Sequence, residues 1–74
     1  MDTSGENEFL LAFGEHLKKV RKGKGFSQEN LANDIGVEIS QISRIERGII
    51  NTSIYNTFKI AKALNIEVKE LFDF

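Results

Sequence analysis

The chain has 74 residues, enough for one compact domain, and 41% of them are apolar, which suits a small packed core rather than disorder. It holds no cysteine, which excludes disulfides and thiolate metal sites, and no apolar run near the ~18 residues of a membrane span. The net charge is −1 and the pI about 5.8, values that taken alone argue against nucleic acid.

Residues 1–8 are polar, contain a glycine and lack periodic apolar positions, so a flexible N-terminal tail is expected ahead of a single domain over 9–74. From Phe9 the apolar pattern turns helical, with Phe9, Phe13, Leu17 and Val20 spaced by four, four and three. Gly23 and Gly25 stop that helix, and cations occupy its last turns, where the helix dipole favours them. Ser27 reads as the N-cap of a second helix with the inward face Leu31, Ala32 and Ile35, ended by Gly36. A third helix is expected from about Ile39 to Arg47, with Ile42 and Ile45 inward, Ile39 at an exposed start and Gly48 closing it. Thr52-Ser53 is a second capping signal, and a fourth helix from Ile54 to Leu64 is expected to bury Ile54, Phe58, Ala61 and Leu64. After a break at Asn65-Ile66, Glu67 to Phe72 can form a short fifth helix. No stretch alternates with period two, so the expected fold is all-α.

Charge is unevenly distributed along these elements. Asp2, Glu6, Glu8 and Glu15 lie before residue 16, and Glu67, Glu70 and Asp73 after residue 66. Between Lys18 and Lys62 nine Lys or Arg face Glu29, Asp34, Glu38 and Glu46, and five of those cations fall within residues 18–24. Such a cluster reads either as a solvated helix face or as an electrostatic footprint for a polyanion.

The informative segment is 27–47. Counting from Gln28, apolar residues stand at positions four, eight, ten, fifteen and eighteen (Leu31, Ile35, Val37, Ile42, Ile45), with Ala32 fifth and Gly36 ninth. Two helices joined by a three- to four-residue turn at roughly 90–120° bring their backbones close at one point, where only a small side chain fits. The turn wants glycine, and the remaining apolar positions face a supporting helix. Seven such coincidences in register within twenty residues are a strong signal of a helix-turn-helix.

The blocks FGEHLKKVRKGKGFSQENLANDIGV, ISQISRIERG and SIYNTFKIAKALNIEVKELF resemble, in order and spacing, the Cro/C1-type (XRE) helix-turn-helix family. The resemblance implies a compact five-helix, lambda-repressor-like DNA-binding domain and a transcriptional regulator, repressor or autoregulator, reading an inverted repeat in double-stranded DNA as a homodimer. It implies that the third helix enters the major groove, so Glu38, Ile39, Ser40, Gln41, Ser43 and Arg44 become candidates for base reading. Arg44 stands out, because a guanidinium can bind guanine O6 and N7 in bidentate fashion. The resemblance gives Gln28 a role in gripping phosphate and buttressing the reading helix. Ser27, at a helix N-terminus, joins it, and Arg47, Asn51 and Lys22 are further phosphate candidates. For each of these polar residues, ordinary solvated surface is the alternative reading.

By the same resemblance Arg21 and Glu46 form an ion pair tying the first helix to the reading helix, a structural role. Three positions depart from the family pattern: Glu38 replaces a usual Ser or Thr cap, Thr52 a common proline, and Thr57 a usual leucine. Tyr55, Val68, Phe72 and Phe74 are candidates for a dimer seam, since a domain this short gains from further burial. An enzyme is not expected: the lone His16 sits on a helix, without a cysteine, a glycine-rich phosphate loop or metal-ligand spacing. No cofactor, metal, small-molecule substrate or membrane is expected, and the location expected is cytoplasmic, at the nucleoid. The competing reading is a protein-interaction module of the same fold, such as an antitoxin that binds a toxin.

Overall fold

The structure is a computed structural model that describes residues 4–74. It holds four α-helices, α1 (Ser4–Gly23), α2 (Gln28–Ile35), α3 (Ile39–Glu46) and α4 (Ile54–Leu64), followed by a C-terminal 3-10 helix (Val68–Phe72). Among the described residues there is no strand. The expectation of five α-helices is corrected to four, because the last element winds as a 3-10 helix. Five residues offer little room for a ladder of i to i−4 bonds, and the tighter turn satisfies its backbone with shorter-range ones. The Glu70 amide donates to the Glu67 carbonyl at 3.0 Å, and the Glu70 carboxylate accepts from the Glu67 amide at 2.7 Å.

The first helix also differs from expectation, since Ser4 to Glu8 are helical and the helix starts five residues before Phe9. Residues 1–3 of the expected tail lie outside the described residues. Nothing breaks the helix upstream of Phe9, and Glu6 in the first turn suits the positive end of its dipole. Solvated turns leave no apolar period to read, so this extension is invisible to a periodicity argument.

One core joins all the elements. Phe13 and Leu17 of α1, Leu31, Ala32 and Ile35 of α2, Ile42 and Ile45 of α3, Ile60, Ala61 and Leu64 of α4, and Leu71 are buried together. Phe9 remains half-exposed instead of joining that face. The inner face of α4 is also rotated from expectation. Ile54 is 89% exposed and Phe58 49% exposed, whereas Thr57, Ile60, Ala61 and Leu64 point inward. Both sets satisfy helical spacing. Thr57 is compatible with burial because its hydroxyl donates to the Ile54 carbonyl at 2.6 Å, which leaves its methyl group for packing.

Local signals set the joints. Ser27 Oγ accepts from the Asn30 amide at 2.9 Å and Asn30 Oδ1 accepts from the Ser27 amide at 3.2 Å, a reciprocal cap that starts α2. Gly36 adopts φ 75° between α2 and α3, a conformation that any side chain would strain. At the other crossing, α1 lies directly on the end of α3. A Cβ on Gly14 would fall 2.5 Å from the Glu46 carbonyl oxygen and closer still to that of Ile45.

Candidate nucleic-acid interface

Helix α3 presents two chemically different faces. Ile42, Ile45 and Glu46 are buried against the body. Glu38, Ile39, Ser40 and Arg44 are exposed on the other side, with Gln41 and Ser43 half-buried at the boundary. Glu38 precedes the helix with extended backbone and makes no side-chain cap bond, so its carboxylate stands free at the helix entrance.

The inner face is fixed by a polar cluster as well as by packing. Arg21 Nε donates to Glu46 Oε2 at 2.6 Å and Arg21 Nη2 to Glu46 Oε1 at 3.0 Å, with both side chains almost fully buried. Arg21 Nη1 donates to the Phe26 carbonyl at 2.8 Å, and Gln28 Nε2 donates to Glu46 Oε1 at 3.0 Å. One carboxylate thus joins the end of α1, the start of α2 and the last turn of α3. No buried side-chain nitrogen or oxygen among the described residues lacks a partner. A charged group removed from water is tolerated only on such terms.

The phosphate candidates are placed around this cluster. Lys22 and Ser27 are exposed and Gln28 half-buried, grouped where α1 ends and α2 begins. Arg47 is exposed just past α3, with Nε donating to the Ser43 carbonyl at 3.3 Å, and Asn51 is exposed in the following loop, where Oδ1 accepts from the Thr52 amide at 2.8 Å. Four of these candidates already hold internal bonds: the Ser27 hydroxyl caps α2, the Gln28 amide serves Glu46, Arg47 Nε serves the Ser43 carbonyl, and the Asn51 oxygen serves Thr52. Ser27 and Asn51 keep hydroxyl and amide protons with which to donate to a phosphate.

The seam candidates Tyr55, Val68, Phe72 and Phe74 are all exposed, but they do not form one group. Phe72 and Phe74 pack on Phe9 and Phe13 of α1, with ring centroids 5.1–6.5 Å apart, and His16 Nε2 donates to the Glu70 carbonyl at 2.7 Å beside them. Tyr55 instead stacks on Phe58 along α4, with the Lys59 ammonium 5.0 Å from its ring centre. Lys59 Nζ also donates to the Ile35 carbonyl at 3.0 Å, which closes the end of α2. Three features escaped the reading of the sequence: the Gly14 crossing, the Lys59 cap and the exposure of Ile54. Only Gly14 leaves a signal there, as a glycine inside an otherwise apolar helical repeat.

Comparison with known proteins extends this picture. Residues 17–71 match the helix-turn-helix family HTH_3. The chain is 42% identical over 69 residues to the control protein C.BamHI of Bacillus amyloliquefaciens, across 92% of this chain and 85% of that one. It superposes on the restriction-modification controller protein C.AhdI of Aeromonas hydrophila with a TM-score of 0.83, at 46% identity, covering 85% of this chain and 96% of that one. It also superposes on SinR, a master regulator for biofilm formation solved in complex with DNA, with a TM-score of 0.76 and 39% identity, covering 82% of this chain and 98% of that one. With its two-helix unit, buried Arg–Glu tie and outward polar α3 face, the chain belongs to the XRE-type helix-turn-helix family of DNA-binding transcriptional regulators.

Proposed function

We propose that the protein binds an inverted repeat in duplex DNA as a homodimer, with α3 in the major groove, and represses or autoregulates the genes it controls. The observation that carries this reading is the division of α3. Ile42, Ile45 and Glu46 lock it to the body, while Ser40 and Arg44 are exposed and Gln41 sits half-buried beside them, with donors and acceptors suited to base edges. Lys22 and Ser27, where α1 ends and α2 begins, and Arg47 and Asn51, which follow α3, are assigned the phosphate contacts. The similarity to control proteins across most of their length favours a DNA-binding regulator.

Base reading is assigned to Arg44, Gln41 and Ser40, with Ile39 set to meet a thymine methyl group. Glu38 is suited to accept from cytosine N4, a base-edge donor that offsets the repulsion of a carboxylate by phosphates. Selection of random duplexes by the purified protein, followed by binding curves at two salt concentrations, tests the reading. An enriched inverted repeat with half-sites about one helical turn apart, and affinity falling steeply with salt, is the expected result. No enriched motif, together with salt-insensitive binding, overturns it in favour of a protein-interaction module.

A further inference from the structure

The two ends of α3 are held in different ways. Its last turn is gripped by the Glu46 cluster and by the close crossing of α1 at Gly14. Its entrance has no such grip. Glu38 precedes the helix without a side-chain cap bond, and only Gly36, Val37 and Glu38 separate α3 from α2. The position of the entrance is therefore inherited from the end of α2. There the Gly36 and Val37 amides serve the Asn33 and Ala32 carbonyls at 3.4 and 3.0 Å. The Ile35 carbonyl, next to the turn, takes its donor from a different helix, the Lys59 ammonium of α4 at 3.0 Å.

We infer that Lys59 is a positioning residue for DNA reading: by capping α2 from α4 it sets where α3 begins, and with it the placement of Ile39, Ser40 and Gln41. The inference rests on the reading of α3 as the base-reading helix. Three observations carry it. A cation at a helix C-terminus meets unpaired carbonyls and the negative end of the dipole, so the bond is charge-assisted. The ammonium sits on the Ile35 carbonyl although Asp34 borders the same depression, so what holds it is the helix end and not a surface ion pair. The Tyr55 ring centre lies 5.0 Å from the same ammonium and Lys59 is half-buried, so the side chain is held from two sides.

The two grips divide the reading face between them. A loosened turn lets α3 pivot about its pinned Glu46 end, and each side chain then moves in proportion to its distance from that end. At 1.5 Å of rise per residue, Ser40 stands about 9 Å along the axis from Glu46 and Arg44 about 3 Å. Loss of the Lys59 tie should therefore displace Ser40 about three times as far as Arg44, and blur the bases read from the entrance first.

The test uses the full chain as wild type, Lys59→Met, Lys59→Arg and Lys62→Met, compared at a temperature where circular dichroism shows each fully folded. Methionine keeps the length of the stem but not the donor, and arginine keeps a charged donor. Lys62, on the same helix with its ammonium over the Phe58 ring, controls for the loss of one cation from α4. The ratio of affinity for the selected operator to that for random duplex should fall about 5-fold or more in Lys59→Met and be largely kept in Lys59→Arg and Lys62→Met. Repeating the selection with Lys59→Met should flatten base preferences other than the one lost in Arg44→Ala. Amide exchange at residues 37–41 should quicken about tenfold in Lys59→Met. A Lys59→Met protein with a lower thermal midpoint but unchanged ratio and exchange reduces the bond to a stabilising contact and overturns the positioning role. Equal losses in Lys59→Met and Lys62→Met trace the effect to charge alone, and equal losses in Lys59→Met and Lys59→Arg deny the bond a part; either result overturns the inference. A wild type without operator preference overturns the base-reading assignment itself, and exchange at 37–41 then still decides whether Lys59 holds the turn.

Discussion

Replacing Glu46 by Gln changes one atom type at the centre of the fold, and its effect can be worked out from the bonds present. Glu46 Oε1 accepts from Arg21 Nη2 and Gln28 Nε2, and Oε2 accepts from Arg21 Nε. A glutamine keeps its oxygen most favourably at the first position, with two donors, which turns its own NH2 against the Arg21 Nε–H. At least one charge-assisted bond is lost, worth about 1.5–3 kcal/mol, and the guanidinium stays buried without a counter-charge. The side chains of Arg21 and Glu46 are 6% and 2% exposed, so solvent screens little of this, and a loss of about 3 kcal/mol is expected. A domain of this length holds roughly 4–11 kcal/mol in total, so the variant should remain folded but lie near the edge. The thermal midpoint should fall by roughly 12–24 °C. Urea unfolding followed by circular dichroism, at one fixed protein concentration because association adds to stability, measures it. The double variant Arg21→Met with Glu46→Leu should recover much of the loss, since a buried pair replaced by apolar groups is often neutral. A Glu46→Gln cost below about 1 kcal/mol, or a double variant equal to the sum of its singles, would refute the reasoning.

Other predictions concern single sites. Gly14→Ala places a methyl group against the Ile45 and Glu46 carbonyls and should destabilise the domain by about 1–3 kcal/mol in the same unfolding assay, even though alanine is the better helix former. Arg44→Ala should cost about 1–3 kcal/mol on the selected operator and flatten the preference at one base position per half-site, read by repeating the selection with the variant. Lys22→Ala should weaken binding equally on all sequences and reduce the slope of log affinity against log salt by about 1 per protomer, measured by titration at several salt concentrations.

Much of the fold is legible in the sequence where glycine, caps and apolar spacing agree. Ser27, Gly36 and the inward set Leu31, Ala32, Ile35, Ile42 and Ile45 are of this kind, because each obeys a local rule that tertiary contacts then reinforce. The register of α4 is not legible in that way. Ile54 and Phe58 out-rank Thr57 on hydropathy, and only the hydroxyl bond to the Ile54 carbonyl shows how a threonine takes the inner place. Residues 5–8 at the start of α1 are silent for the opposite reason, as exposed helix needs no pattern. The outward face of α3 follows from the inward one by helix geometry alone. The polar cluster at Glu46 does not, since Arg21 and Glu46 are 25 residues apart and no spacing rule relates them. The family resemblance, not the periodicity, names that pair.

The split between the two faces of α3 separates the address from the chassis. Ser40 and Arg44 are exposed, while Ile42, Ile45 and Glu46 carry the attachment of the helix to the rest of the protein. If α3 reads bases as proposed, codons for the exposed positions are free to drift with the operator, and a duplicated copy of the gene can acquire a new target in a few substitutions without passing through an unfolded intermediate. The reverse holds for the attachment. A change at Glu46 or Gly14 leaves every outward side chain in place chemically but disturbs the seat of the whole helix, so on the same reading it should weaken recognition of every operator alike.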